Sequence, residues 1–296
     1  MKDYNNVISK GNQIDSLLRS RLKFCWVIAL RAEATPIIEA LNMKALSNDL
    51  LFPIYFNQYN GHALVISGIG ATRSGAAATF LKAHLSIEKY ASWINIGVSG
   101  YFEDSIGELY QAVKVMARDT GKTFFPGVRF SRILKTSTLV TVPKPEKDYA
   151  EPALYDMEAA GFCEISPSFS CNELTYVFKV VSDSPNHSCT LLTKKSVSKL
   201  IENQLPKIFE ISKEISKIVE LEKKRLNIPI EVQEFEGIIK FSATNRHRFR
   251  NIYRKWKAAF PDKCLTTSDF PNFSSKEIIA HLESQLLNEA DNWTIK

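Results

Sequence analysis

Two short runs hold the residues best suited to chemistry in this chain. They are Leu154-Tyr155-Asp156-Met157-Glu158-Ala159-Ala160-Gly161-Phe162 and Val180-Val181-Ser182-Asp183. The first sets a carboxylate, Glu158, at the start of a helix whose next residues are small. The second sets another, Asp183, directly after an apolar run of strand length. Two carboxylates brought to one pocket by different elements can divide acid and anchor roles, a pairing suited to cleaving a sugar–base bond. Each also has a plainer reading. A glutamate in a first helical turn is favoured by the helix dipole, and Ser182-Asp183-Ser184-Pro185 has the composition of a turn and cap.

The elements that must position these groups follow from periodicity. Phe24 to Leu30 is a continuous apolar run, as expected of a strand buried on both faces. A helix is predicted over Ala32–Leu41. Strands are predicted over Leu51–Phe56, Ala63–Ile66, Trp93–Gly97, Tyr110–Met116, Thr138–Val142 and Tyr176–Val181. Gly68-Ile69-Gly70 breaks the pattern, and Thr72 is a candidate cap for a helix to His84. Residues 156–166 read as the helix bearing Glu158, Lys122–Arg132 as loop or edge structure, and Ile14–Leu22 as a short helix. Leu191–Leu221 reads as helix broken near Pro206. Strands alternating with helices predict an α/β domain, with ligands beyond the carboxyl ends of the strands. The expected segments are a leader (1–22), the α/β domain (23–225) and a basic, mainly helical extension (226–296).

Composition narrows the classes. At 296 residues, 45% hydrophobic and 24% charged, the chain is of ordinary globular type. A formal charge of +6 is too small by itself to imply nucleic acid. Five cysteines with no C-x-x-C pair argue against a disulfide framework or a zinc site, so no metal or cofactor is expected. Cys25 and Cys163 read as buried thiols. There is no apolar signal segment and no run of membrane-spanning length, so a cytosolic location without membrane association is the expectation. Arg at position 73 defeats a G-x-G-x-x-G fingerprint after Gly68, and no P-loop is present.

Four blocks in order, Ala29-Leu30-Arg31-Ala32-Glu33, Ser67-Gly68-Ile69-Gly70, Asn95-Ile96-Gly97-Val98-Ser99-Gly100, and Asp156-Met157-Glu158-Ala159 with Ser182-Asp183, give residues 23–221 a resemblance to the nucleoside phosphorylase superfamily. The layout is similar to its methylthioadenosine/S-adenosylhomocysteine nucleosidase and futalosine hydrolase branch. The resemblance implies a three-layer α/β/α sandwich with a central mixed sheet, and a homo-oligomer, dimer favoured. It implies that Glu158 holds the ribose hydroxyls while Met157 packs on the sugar. A carboxylate suits that role because it accepts where hydroxyls donate, and its charge favours a cationic sugar in the transition state. Asp183 would be the general acid for the leaving heterocycle, with Ser182 beside it. Glu33 stands where phosphorolytic members carry an arginine, so it would orient water, as one of two separated carboxyl groups does in inverting glycosidases. Asn95 stands where those members carry a second arginine. Gly70, Gly97 and Val98 would line the pocket, with Gly97 and Gly100 allowing close backbone approach.

The resemblance also has departures. Val98 replaces a usual serine, and Leu139 and Val140 fall where an aromatic commonly stacks on the base. Together these readings point to a nucleoside N-ribohydrolase for a purine or modified purine. Arg31 keeps a phosphate-dependent phosphorylase open as a rival, and Val98 keeps open a catalytically weak nucleotide-sensing or nucleic-acid-associated module. In the extension, residues 244–260 interleave Arg246, Arg248, Arg250, Arg254, Lys255 and Lys257 with Phe249, Ile252, Tyr253, Trp256 and Phe260. That could meet phosphates and bases. Aromatic stripes at helical spacing are more often core, which favours packing on the main domain over nucleic acid. A last helix is expected from Ser274 or Ser275 to Asn288.

Overall fold

The computed structural model describes residues 22–47 and 49–294, with side-chain surroundings up to residue 289. The helix expected at Ile14–Leu22 lies outside the described residues, apart from buried Leu22. Two compact units divide at Arg225/Leu226.

The first unit is built on a mixed sheet of ten strands among the described residues. In chain order these are β1 (Phe24–Ile28), β2 (Lys44–Ala45), β3 (Ile54–Asn57), β4 (His62–Ile66), β5 (Ser92–Tyr101), β6 (Leu109–Ala117), β7 (Thr123–Phe124), β8 (Lys135–Thr141), β9 (Leu154–Asp156) and β10 (Thr175–Asp183). Helices α1 (Arg31–Ala40), α2 (Ala71–Leu85), α3 (Ala159–Ile165) and α4 (Lys194–Leu226) flank it. The order β10-β6-β8-β9-β5-β1-β4-β3-β2, with β10 also paired to β5, closes five strands into a ring from which the rest of the sheet extends. β1, β4 and β10 run parallel to β5 or to its neighbour, while β9 runs antiparallel to it.

Every residue of β1 and β10 is buried. Alternation along β1 sends Cys25 and Val27 into one core with Ala77, Ala78 and Leu81 of α2 and Phe162 of α3. Phe24, Trp26 and Ile28 take the opposite face, where the Trp26 indole donates to His62 Nδ1 at 3.0 Å. Each large side chain buried this way contributes roughly 1.5–3 kcal/mol relative to exposure. This is the expected α/β sandwich.

Several local expectations are corrected. Residue 156 closes strand β9, and Glu158 precedes α3, which starts at Ala159. The β5 strand runs through its glycines to Tyr101. The cap position of α2 is Gly70 (φ 112°), with Thr72 inside the first turn. Helix α4 is unbroken at Pro206. Ile201 before the proline and Ile208, Ile211, Ile215 and Val219 after it are all buried, so continuous burial along one face outweighs the roughly 3 kcal/mol a central proline costs.

The second unit holds α5 (Ile230–Ile238), α6 (Ala243–Ala259) and α7 (Ser275–Thr294). The α5 helix had no counterpart in the sequence reading. Ser274, as anticipated, caps α7 through its exchange of hydrogen bonds with Glu277. The aromatic stripe of α6 packs inside this unit: Phe249, Tyr253 and Trp256 are buried with Phe235, Phe241, Phe270, Ile278 and Leu282. That corrects the expectation that the stripe would dock on the main domain. Buried rings are not free to stack on bases, and Arg250 and Arg248 pair with Glu236 and Glu283. No helix among the described residues is long and apolar enough to cross a membrane.

Candidate active site

Three loops at carboxyl ends of strands build the site. After β1 the chain turns into α1, and Glu33, three residues past the cap Leu30, folds back to accept that residue's amide at 2.8 Å. Its other oxygen accepts the Val98 amide of β5, also at 2.8 Å. This reach across strands needs Gly97, because a Cβ there would lie 2.7 Å from Glu33 Oε1. After β4, the chain passes through Gly68 and Gly70, and the Gly70 amide donates to Glu158 Oε1 at 2.9 Å. Asp183 ends β10, where the register against β5 shifts.

Glu33, Glu158 and Asp183 are 3%, 7% and 8% exposed. All three line one cavity of about 170 Å³, together with Val98, Ser99, Gly100, Tyr155, Asp156, Met157 and Ser182. Pro145 and Glu146 from the β8–β9 loop and Cys189 and Leu192 after β10 complete much of its wall. Among the described residues, the lining carries five carboxylates and no lysine or arginine. A larger groove of about 680 Å³ along α2 and α3 shares Ile69, Val142 and Met157 with this cavity but none of the three carboxylates.

Burial raises Glu33 above the ordinary carboxyl range, against the pull of the Val98 amide and Lys179. Burial and then the neighbouring Asp156 push Glu158 up to about 7. Lys179, in the middle of β10 and fully enclosed, pairs with Asp156 Oδ2 at 2.8 Å. Burial would lower this ammonium, but Asp156, Glu158 and Glu33 outweigh it and hold it charged. Thr141 donates to Asp156 Oδ1 at 2.7 Å and the Ala159 amide to Oδ2 at 2.8 Å, so Asp156 ties β8, β9, α3 and β10 together. The Tyr149 hydroxyl donates to Asp183 Oδ2. Ser182 Oγ lies within donating reach of Asp183 Oδ1 and of the Ser99 carbonyl, and its single proton serves one at a time. The buried Ser99 hydroxyl has no hydrogen-bond partner among the described residues.

The sequence-derived candidates are placed as follows. Glu33, Val98, Met157, Glu158, Ser182 and Asp183 come together at the cavity. Gly70 reaches it through its amide, and Gly97 makes room for Glu33 without lining it. Arg31 does not join them. It is exposed, hydrogen-bonds Tyr55 and lies 4.7 Å over that ring. Residues two apart on a helix do not share a face, so α1 turns Arg31 away as it turns Glu33 inward. Asn95 is buried and donates to the Val27 carbonyl at 3.0 Å, bracing β5 on β1. Leu139 and Val140 are enclosed in β8 and do not meet the cavity.

Sequence reasoning missed Lys179, Tyr149 and Ser99. A lysine inside an otherwise apolar strand was a usable signal, since lysines are almost never fully buried unpaired. Tyr149, an aromatic in a polar loop, offered none.

No family model matches the chain, and no curated protein matches it in sequence. Solved structures do match. The 5′-methylthioadenosine nucleosidase of Arabidopsis thaliana superposes with a TM-score of 0.55 at 15% identity, over 66% of this chain and 96% of that one. A mutant futalosine hydrolase of Helicobacter pylori gives 0.54 at 13%, over 65% and 99%. A putative 5′-methylthioadenosine/S-adenosylhomocysteine nucleosidase of Francisella philomiragia gives 0.53 at 17%, over 64% and 98%. The strand order, the helices flanking the sheet and these superpositions together establish that the chain has the nucleoside phosphorylase/nucleosidase fold.

Proposed function

We propose that the protein is a nucleoside N-ribohydrolase acting on a purine or modified-purine nucleoside. The observation that carries this reading is the convergence of Glu33, Glu158 and Asp183 on one cavity whose lining holds acids and no cation. Glu158 accepts from the ribose hydroxyls. Asp183 gives a proton to a ring nitrogen as the C1′–N bond breaks, so the bonding pair leaves with a neutral base. Water attacks C1′ and loses its proton to Glu33, which two backbone amides hold in place. The products are ribose, or a ribose derivative, and the free base. The carboxylates around the sugar favour the cationic transition state. The same charges oppose a phosphate nucleophile, and Arg31 is turned away, so nothing in the site favours phosphorolysis. The reading includes a homo-oligomer, dimer favoured, which light scattering measures.

The test is a nucleoside panel incubated with and without phosphate, with free base followed by chromatography. Release independent of phosphate is expected, and Asp183→Asn and Glu158→Gln each lose about 10²-fold or more in turnover with folding intact. Near-normal turnover in both variants, or release that requires phosphate, would sink the reading.

A further inference from the structure

The β8–β9 connection, residues 142–153, is bound down at several points. Arg118, just beyond β6, hydrogen-bonds Glu146 and Glu151, the latter at 2.9 Å, and its guanidinium lies 5.5 Å over the Tyr155 ring. The Glu151 amide donates to the Tyr155 hydroxyl at 2.9 Å. Glu146 Oε1 accepts the amides of Lys147 and Asp148 at 2.9 and 3.1 Å.

The strap thus fastened delivers Tyr149. Its backbone is left-handed (φ 46°), a conformation that strains a bulky non-glycine residue and persists only when its surroundings hold it. Its side chain rests on three residues that line the cavity. The hydroxyl donates to Asp183 Oδ2. The ring meets Tyr155 edge-on at 5.6 Å. It also fills the space over Gly100, where a Cβ would lie 2.7 Å from the Tyr149 ring and 2.8 Å from Asp183 Oδ2. With Tyr149 in this position the cavity measures about 170 Å³. Ligand sites ordinarily begin at roughly 300 Å³.

We propose that Tyr149 guards Asp183: the strap holds its phenol and ring in the place of a leaving heterocycle, and substrate enters only when the strap lifts. The inference rests on Asp183 facing the leaving group in the proposed hydrolysis. It adds a conformational step and names its parts: Tyr149 is the plug, Arg118 the latch and Gly100 the seat. A group that takes a proton from Asp183 must approach one of its two oxygens, and both are engaged, Oδ2 by the Tyr149 hydroxyl and Oδ1 by Ser182 Oγ. Withdrawing the ring also extends the cavity over Gly100 beside the acid. Lifting the strap relieves the left-handed strain, which offsets part of the hydrogen bonding lost.

The strap is tested without ligand by amide hydrogen exchange at Lys147, Asp148 and Glu151, in the full chain and in Tyr149→Phe and Arg118→Gln. Neither substitution removes a group from the proposed chemistry. Exchange about tenfold faster in both variants, with unchanged global unfolding, is expected. Unchanged exchange in both overturns the proposal. Adenine, a leaving group that cannot turn over, then probes the cavity by calorimetry. Affinity about fivefold or more higher in Tyr149→Phe, and higher in Arg118→Gln, is expected. Weaker binding in Tyr149→Phe makes the tyrosine a ligand contact and overturns its role as a plug. The two readings fail separately. A strap that loosens as expected in a protein releasing no base from any nucleoside sinks the hydrolase reading and keeps the gate. Phosphate-independent base release with an unaltered strap does the reverse.

Discussion

Glu158 offers the sharpest physical test, because its environment makes stability depend on pH in a sense opposite to that of most carboxylates. Its carboxyl is displaced from an ordinary value of 4.5 to about 7, first by burial and then by Asp156. Between those limits the native state binds more protons than the unfolded chain, so unfolding free energy falls as pH rises. The contribution is complete below about pH 4.5 and gone above about pH 7. At about 1.4 kcal/mol per pH unit it amounts to roughly 3 kcal/mol. Glu158→Gln mimics the protonated acid at every pH. Its amide oxygen can still accept the Gly70 amide, and the weaker 3.3 Å contact from the Met157 amide is lost at all pH values alike. Urea-unfolding free energies of wild type and variant at pH 5 and pH 8 therefore give a double difference. Shared contributions, including those of the C-terminal unit, cancel in it. The variant should gain roughly 2.5 kcal/mol on the wild type between pH 5 and pH 8. Parallel pH dependence in the two proteins, or a steeper fall in the variant, would refute the placement of Glu158 as a buried, charge-crowded acid.

The remaining expectations follow from the same cluster. The kcat/KM profile should rise with pH through an acid limb near 7, because Glu158 must be ionised to accept from ribose; a profile flat from pH 5.5 to 8 contradicts this. Gly97→Ala should displace Glu33 and cut turnover about 10²-fold while circular dichroism stays native; full activity would show that Glu33 need not sit on β5. Lys179→Met should cost about 3–5 kcal/mol by leaving Asp156 buried and unpaired. Lys179→Met with Asp156→Asn should recover much of that loss, and additivity of the two changes would disprove the pairing. In the C-terminal unit, Trp256→Ala should cost about 3–5 kcal/mol in the unfolding transition of that unit, whereas an unaffected transition would mean the ring is not core.

Local pattern was enough for the parts of this protein that depend on neighbours in the chain. The apolar runs at Phe24–Ile28 and Tyr176–Val181 declare strands covered on both faces, because nearly every side chain there is apolar, Lys179 being the exception. Glycine-bearing turns after strands mark where a ligand can approach, and the local pattern sets Asp183 at the end of a strand and Glu158 at the head of a helix, although that helix begins at Ala159 and not at residue 156. The choice between Glu33 and Arg31 was decided by the rotation of α1 against β5, which two adjacent blocks of sequence do not reveal. The Lys179–Asp156 pair joins residues that meet only when β10 and β9 enter one sheet. The stripe on α6 declared that it would be buried, but not where, since periodicity defines a face and leaves its partner open. Tyr149 is the extreme case: a polar loop has no period, and only closure of the β5–β10 ring with its strap brings that ring onto Gly100 and Asp183. Sequence alone therefore determined most strands and helices of the first unit, because these follow from backbone geometry over a few residues. The tertiary structure decided which charges face one another, because electrostatic partners are selected by distances that chain order does not encode.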